Sequence, residues 1–184
     1  SGNFVSLASR SQDVPVIVLN GVSKVYFAPG WRIGYMAWHD PLGVLSNVRD
    51  GAERLLRSRL CASTPAQYGY LAGLSDGSDW MDGHREKIRS RLEYSLERIR
   101  SIQGLECEAP GAAFYLFVKI TDPVHSADDK RFVLDLLHEK HVLLVHGSGF
   151  SPEMGKGHFR MVCLPEVDLL SEAFDRIESF LNGS

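Results

Sequence analysis

Lys24 is the residue whose type and surroundings point most directly to chemistry in this 184-residue chain. It follows Gly21 and a short apolar run, Val14 to Asn20, that predicts a buried strand. Ligands of open α/β sheets bind at the carboxyl ends of strands, where such a side chain projects. An amine held there can form a Schiff base with an aldehyde if its neutral form is available. A loop lysine alone is far more often a solvated charge, so its neighbours must decide.

Two neighbours of Lys24 supply groups that suit an anion. Ser23 offers a hydroxyl, and Arg32 offers a planar fork of N–H donors that matches a phosphate. The apolar run Trp31 to Trp38 predicts a second buried strand, and an arginine inside such a strand needs an anionic partner because an unpaired buried charge is very costly. That partner is either a bound phosphate or an Asp or Glu of the chain itself. Spacing alone favours neither.

A second arginine, Arg160, lies in the apolar run from His158 to Leu164, which predicts another strand. A guanidinium in a mostly apolar setting suits a carboxylate, which it binds through two parallel hydrogen bonds.

A metal site has less support in the sequence. His138 and His141 are three residues apart at a predicted helix end, and no third ligand is near them, so no metal site is predicted.

The elements that must position these residues fall on either side of a segment rich in Gly, Ser and Asp, residues 75–83. Before it, two strands buried on both faces and helices over 41–60 and 64–74 predict a layered α/β arrangement. After it, the pattern predicts a helix over 84–102, a strand over 113–120, a helix over 126–140 opened by a Ser126-x-x-Asp129 capping pattern, strands over 142–145 and 158–164, and a last helix from Pro165. At least two of Phe114, Tyr115 and Phe117 are expected in the core.

The residues around Lys24 and Arg160 resemble two segments of one known family. Asn20-Gly21-Val22-Ser23-Lys24, with Gly30-Trp31-Arg32-Ile33-Gly34-Tyr35, is similar to the cofactor-lysine segment of class I/II aminotransferases of fold type I, in particular the alanine-aminotransferase-like branch. GHFRMVCLP, residues 157–165, resembles the family segment that carries the substrate-carboxylate arginine. The resemblance covers essentially the whole chain.

The resemblance implies a cofactor and a role for each candidate residue. Lys24 would hold pyridoxal 5′-phosphate covalently and shuttle the substrate proton, Ser23 and Arg32 would bind the cofactor phosphate, and Arg160 would bind the substrate α-carboxylate. The implied fold is α/β. Residues 1–82 would be the C-terminal part of a fold type I large domain, with a partial mixed sheet and helices, and residues 83–184 a small α+β C-terminal domain.

The activity that the resemblance implies is transfer of an amino group between an L-amino acid, alanine or aspartate, and 2-oxoglutarate. This is biosynthetic amino-acid metabolism, and family members are usually homodimers. Two alternatives stay open: a pyridoxal-phosphate lyase or synthase on the same fold, because fold does not fix reaction, and a truncated module without activity of its own.

Part of the family's cofactor site has no counterpart in this sequence. The aspartate that protonates the pyridine nitrogen and the glycine-rich phosphate loop lie a few dozen residues before the family's lysine, whereas 23 residues precede Lys24 here. We therefore expect the chain to be the C-terminal portion of a parent enzyme and to be inactive alone.

Composition narrows the partners. Lys and Arg number 20 against 23 Asp and Glu, so the charge gives no case for nucleic acid or an anionic membrane. No apolar run is long enough to cross a bilayer. The odd set of cysteines, Cys61, Cys107 and Cys163, suits reduced thiols in the cytoplasm. We expect a cytoplasmic protein whose partners are an amino acid, a 2-oxo acid and its own second subunit.

Overall fold

The chain divides into two compact units, Ser1–Asp79 and Trp80–Ser184. The structure is a computed structural model that describes residues 5–77 and 79–183. The division falls inside the polar segment 75–83, three residues before the boundary predicted between residues 82 and 83.

The first unit carries two strands that pair with each other, together with helices. Its elements are α1 (Leu7–Arg10), β1 (Val16–Gly21), α2 (Val22–Val25), a 3-10 turn (Pro29–Trp31), β2 (Gly34–His39), α3 (Ser46–Ser58) and α4 (Thr64–Ser75). β1 and β2 are antiparallel, with Val16 opposite His39 and Gly21 opposite Gly34. Pro65 stands in the first turn of α4, where its missing N–H costs no helical hydrogen bond.

The prediction that both strands are buried on both faces is wrong for the described residues. β1 alternates between half-buried and exposed positions over its first four residues, and most of β2 is exposed. The two strands form a sheet of two, so within residues 5–77 and 79–183 no further strand covers their outer edges. The second strand also begins later than predicted, at Gly34 instead of Trp31.

The second unit is a four-stranded antiparallel sheet with three helices. Its elements are α5 (Trp80–Ser101), β3 (Leu105–Glu106), β4 (Tyr115–Ile120), α6 (Asp129–Lys140), β5 (Val145–His146), a 3-10 turn (Gly147–Gly149), β6 (His158–Val162) and α7 (Val167–Asn182). The strand order is β3-β4-β6-β5, so β4 and β6 are central. This is the α+β arrangement that the order of predicted elements indicated.

One face of this sheet packs against the helices and forms the core. Every second residue of β4 is buried, as are Phe159 and Met161 of β6. They join one cluster with side chains of all three helices, including Ile99, Phe132 and Phe174. Fully burying one such large apolar side chain contributes about 2–3 kcal/mol. Because side chains alternate along a strand, the residues between these positions face the other side of the sheet.

Three local predictions in this unit are corrected. α6 begins at Asp129, and its N-cap is Asp128, whose carboxylate accepts from the N–H of Arg131, so the pattern starting at Ser126 does not cap it. The strand over 142–145 is shorter and later, at residues 145–146. None of Phe114, Tyr115 and Phe117 is fully buried, and Tyr115 and Phe117 lie on the sheet face opposite the core.

Candidate active site

The end of the β1–β2 pair is closed by two glycines that face each other. A Cβ added to Gly34 would lie 2.5 Å from the carbonyl oxygen of Asn20, and one added to Gly21 would lie 3.0 Å from the carbonyl oxygen of Ile33. A side chain at Gly34 would therefore displace the backbone, and one at Gly21 would strain it. Because neither glycine has a side chain, the backbone segments that enter and leave the loop between β1 and β2 can stay one strand spacing apart, about 4.8 Å.

Ser23 and Lys24 lie directly beyond this closure, on the single turn of α2. Val22, which is 1% exposed, anchors the turn. Its N–H donates to the carbonyl of Ile33 at 3.3 Å, and its own carbonyl accepts from the N–H of Tyr26 at 3.1 Å. Lys24 was predicted in a loop and instead lies on one helical turn whose backbone is fixed, with its side chain exposed and that of Ser23 half-buried.

Arg32 does not lie in a strand, contrary to the prediction. It follows the 3-10 turn with a φ of 51°, in the left-handed region that strands exclude. Its Nη1 donates to the carbonyl of Pro29 at 2.9 Å, and its side chain is exposed. No carboxylate lies within ion-pair distance of Arg32 in residues 5–77 and 79–183, so the internal ion pair is absent there. Because the guanidinium is exposed to solvent, it does not need an anionic partner to offset a desolvation cost.

Two glycines of α4 receive aromatic rings from the same loop. A Cβ on Gly69 would lie 2.3 Å from the ring of Trp31, and one on Gly73 would lie 2.8 Å from the ring of Tyr26. The hydroxyl of Tyr26 also donates to the carbonyl of Gly73 at 3.4 Å. Residues four apart share a helix face, so both rings pack on one side of α4. The loop that carries Ser23, Lys24 and Arg32 is thus fastened to this helix.

The spacing of the two glycines was visible in the sequence, but nothing there indicated which aromatic residues would fill it. The packing also involves Tyr70, which is 8% exposed. Burial, and secondly the neighbouring phenols of Tyr35 and Tyr26, raise the pKa of Tyr70 above its ordinary value. Its hydroxyl therefore remains a neutral phenol at physiological pH.

Arg160 lies on the open face of the sheet in the second unit. It occupies the middle of β6, opposite Phe117 of β4 and Val145 of β5. Its guanidinium carbon is 4.5 Å from the ring centroid of Phe150 and 4.8 Å from that of Tyr115, within cation–π range of both. Its Nε is buried and has no hydrogen-bond partner among the described residues.

A cavity of about 1110 Å³ opens at this face of the sheet. Its lining includes three kinds of side chain: the cations Arg100, Lys119 and Arg160, aromatic rings that include Phe117 and His158, and the carboxylates Glu106 and Glu108. His158 stacks on Phe117 with ring centroids 5.0 Å apart, and its Nδ1 donates to the carbonyl of Lys156 at 2.9 Å. The part of the cavity around Arg160 suits a small organic anion, because a cation and the apolar rings of Tyr115 and Phe150 lie together there.

The sequence prediction of Arg160 as an anion-binding residue did not include the two rings beside it. At least two of Phe114, Tyr115 and Phe117 were expected in the core, and Phe150 lies in an irregular segment where no periodicity marks a face. The alternation of β4 places Tyr115 and Phe117 on one face, but which strand lies beside them depends on pairing that the sequence does not display.

Comparison with known proteins shows which family the chain belongs to. A sequence model of the family described as aminotransferase class I and II matches residues 1–177. The glutamate–pyruvate aminotransferase of Haemophilus influenzae is 36% identical over 96% of the chain and 44% of its own length. The aspartate aminotransferase of Bacillus subtilis is 34% identical over 97% of the chain and 44% of its own length.

Among solved structures, the alanine aminotransferase of Pyrococcus furiosus is 48% identical, with a TM-score of 0.94 over 100% of this chain and 46% of that one. The tyrosine aminotransferase of Leishmania infantum is 26% identical, with a TM-score of 0.87 over 99% and 45%. The chain thus spans less than half the length of these relatives.

Fold and sequence together define an α/β chain that corresponds to part of a fold type I, pyridoxal-phosphate-dependent transferase. The chain belongs to the aminotransferase class I and II family. The family and fold class predicted from the residues around Lys24 and Arg160 are therefore confirmed.

Two further findings concern only residues 5–77 and 79–183. No group of three or more His, Cys, Asp or Glu side chains is arranged to hold a metal ion in that part of the chain. Within the same ranges, none of the helices has the length and apolar character needed to cross a bilayer.

Proposed function

We propose that the protein is an aminotransferase that uses pyridoxal 5′-phosphate to pass an amino group between an L-amino acid and 2-oxoglutarate. Alanine and aspartate are the amino acids we favour, because relatives over 30% identical are named glutamate–pyruvate, alanine and aspartate aminotransferases. The observation that carries the proposal is the family match over residues 1–177, which includes both the Lys24 loop and the Arg160 strand.

The donor set of the Lys24 loop fits the cofactor. The amine of Lys24, the hydroxyl of Ser23 and the guanidinium of Arg32 all lie in the short segment between β1 and β2. Gly21 and Gly34, which pair with each other, bound this segment. In our proposal Lys24 takes the aldehyde, while Ser23 and Arg32 hold the phosphate. The bond to Pro29 occupies one Nη of Arg32, which leaves other N–H donors of its fork for phosphate oxygens. Pyridoxal phosphate, when bound, supplies an electron sink for the substrate Cα.

Lys24 is also our choice for the group that moves the proton. With the cofactor bound, its amine would take the proton from the substrate Cα and deliver it to C4′ of the cofactor. To accept the proton, the amine of Lys24 must be in its neutral form and must stay close to the substrate Cα. The packing of Tyr26 and Trp31 on α4 supports such a role, because it restricts the path of the backbone that follows Lys24.

Arg160 is our choice for the substrate α-carboxylate. Its Nε is buried without a partner in the described chain, and an unsatisfied donor of this kind costs free energy until an acceptor arrives. A carboxylate is the acceptor whose shape matches the guanidinium fork. Holding the substrate by this end would restrict its orientation in the site.

Further proposals concern the domains, the cellular compartment, the assembly and the partners of the protein. We propose that residues 1–82 belong to the large cofactor-binding domain and 83–184 to the small domain, which the division between Asp79 and Trp80 supports. We further propose a cytoplasmic homodimer acting in amino-acid biosynthesis, with an amino acid and a 2-oxo acid as partners and no nucleic acid or membrane.

The test is a coupled assay of the complete gene product with alanine and 2-oxoglutarate. We expect pyruvate and glutamate to appear in equal amounts. Arg160→Lys keeps the charge but removes the fork, and we expect it to lower kcat/KM for alanine about 10- to 100-fold. Arg89→Lys, at an arginine whose side chain is 62% exposed, is the matched control. Pyruvate without glutamate would rule out transamination.

A further inference from the structure

We propose that Phe150 is a positioning residue for Arg160, and that buried Asp129 anchors the turn that presents Phe150. The inference deepens the proposed function and rests on it, because it assumes that Arg160 receives the substrate carboxylate. Phe150 itself would touch the guanidinium, and its effect on the substrate would pass through that group.

The guanidinium of Arg160 lies close to the face of the Phe150 ring. The guanidinium carbon stands over the ring, 4.5 Å from its centroid, and the ring of Tyr115 lies 4.8 Å away. A planar cation over an aromatic face is attracted by the ring's negative surface. The two rings therefore limit the orientations of a long side chain that would otherwise sample many rotamers.

Phe150 is not part of the hydrophobic core. Its side chain is 51% exposed, so little apolar burial is gained by holding it in place. Its other ring contact is with Phe117, edge to face at 6.2 Å, and Phe117 is itself on the open face of the sheet. Both contacts direct the ring toward the surface that carries Arg160.

The segment that presents Phe150 is nonetheless held tightly. Its N–H donates to the carbonyl of Gly147 at 2.9 Å. A Cβ on Gly147 would lie 2.2 Å from the carbonyl oxygen of Gly155, so the two ends of the segment touch. Because these contacts close the loop, we expect the ring of Phe150 to keep its position beside Arg160.

Asp129 ties this loop to the helix layer. It is 3% exposed, at the first position of α6, and its carboxylate accepts from the N–H of Ser148 at 2.8 Å. A buried carboxylate is retained at a cost unless its oxygens are hydrogen-bonded, and here they bond the turn immediately before Phe150. The chain of contacts therefore runs from the core through Asp129 and the turn to Phe150 and Arg160.

Preorganisation has a defined kinetic signature. If the rings fix the guanidinium before substrate arrives, less rotamer freedom is lost on binding. Losing one ring should therefore weaken the capture of the carboxylate and leave the chemical step little changed. A residue needed only for folding would instead reduce the amount of active protein and lower kcat at constant KM.

The experiment compares Phe150→Leu, Phe150→Tyr and Met154→Leu in the complete gene product loaded with pyridoxal phosphate. Met154 is 80% exposed on the same loop and serves as the control. We expect Phe150→Leu to raise KM for alanine about three- to ten-fold, with kcat within about two-fold of the parent. Phe150→Tyr, which keeps the ring, should restore the parental KM, and Met154→Leu should not change it.

The outcomes separate the two proposals. Arg160→Lys with an unaltered KM would overturn the assignment of Arg160 and with it the proposed substrate contact. A raised KM in Arg160→Lys beside an unaltered KM in Phe150→Leu would overturn only the positioning role. If Phe150→Leu does not fold, Phe150→Met is measured in its place and judged by the same criterion.

Discussion

Replacing Gly69 by alanine tests whether helix α4 holds the loop that carries Lys24. The added Cβ would lie 2.3 Å from Cζ3 and 2.6 Å from Cη2 of Trp31. The ring would have to retreat by about 1 Å to restore ordinary contact. Alanine normally stabilises a helix interior over glycine by about 1 kcal/mol, whereas overpacking costs about 1–3 kcal/mol. We therefore expect a change between zero and a loss of about 2 kcal/mol in the free energy of unfolding.

Gly51→Ala provides the matched control, because Gly51 lies within α3 and a Cβ there meets no atom within 4 Å. It should raise the free energy of unfolding by about 1 kcal/mol. Urea unfolding of both variants gives the free energies, and tryptophan emission reports the displacement of Trp31. Equal stabilisation by the two substitutions, with parental emission in both, would refute the packing of Trp31 on Gly69 and the fastening of the loop that we derive from it.

Three other predictions concern the second unit and the cysteines. Burial opposes the ionisation of Asp129, but hydrogen bonds from Ser148 and Gly157 outweigh it and hold the pKa of that carboxyl below its ordinary 3.8. The stability it contributes is present above about pH 4 and is lost as pH falls through the lowered pKa, so the acid unfolding curve of Asp129→Asn should have a smaller slope there. Burial raises the pKa of the Cys163 thiol, and we expect a thiol reagent to label exposed Cys61 in the native chain and Cys163 only after unfolding. Leu116→Ala, at a fully buried position of β4, should cost about 2–5 kcal/mol in urea unfolding, and a smaller loss would contradict the core described here.

The sequence predicted the elements whose signals are local. Helix α4 has a proline in its first turn, and α7 has an apolar stripe along its 16 residues, so propensity and periodicity agree in each. The central strands β4 and β6 lie in mostly apolar segments and were predicted within two residues of their observed bounds. For these elements tertiary structure adds packing but does not change the local preference.

The errors arise where a distant contact decides the structure. Arg32 was predicted in a strand because its neighbours are apolar. The pairing of β1 with β2 stops at Gly21 and Gly34, so Arg32 lies outside the strand, and its φ is positive. The two-residue strand β3 exists only because Leu105 pairs with Ile120, and two residues carry no periodic signal. Likewise, Arg160 could be named from its segment, whereas the rings of Tyr115 and Phe150 beside it come from other parts of the chain.

Reductive trapping tests the central claim, that Lys24 carries the cofactor. The complete gene product is incubated with pyridoxal 5′-phosphate, reduced with borohydride, digested and mapped by mass spectrometry, beside Lys24→Ala and, as a surface control, Lys130→Ala. We predict saturable labelling of one residue, Lys24, in the parent and in Lys130→Ala, and none at saturation in Lys24→Ala. Labelling spread over several lysines, or unchanged in Lys24→Ala, would contradict it.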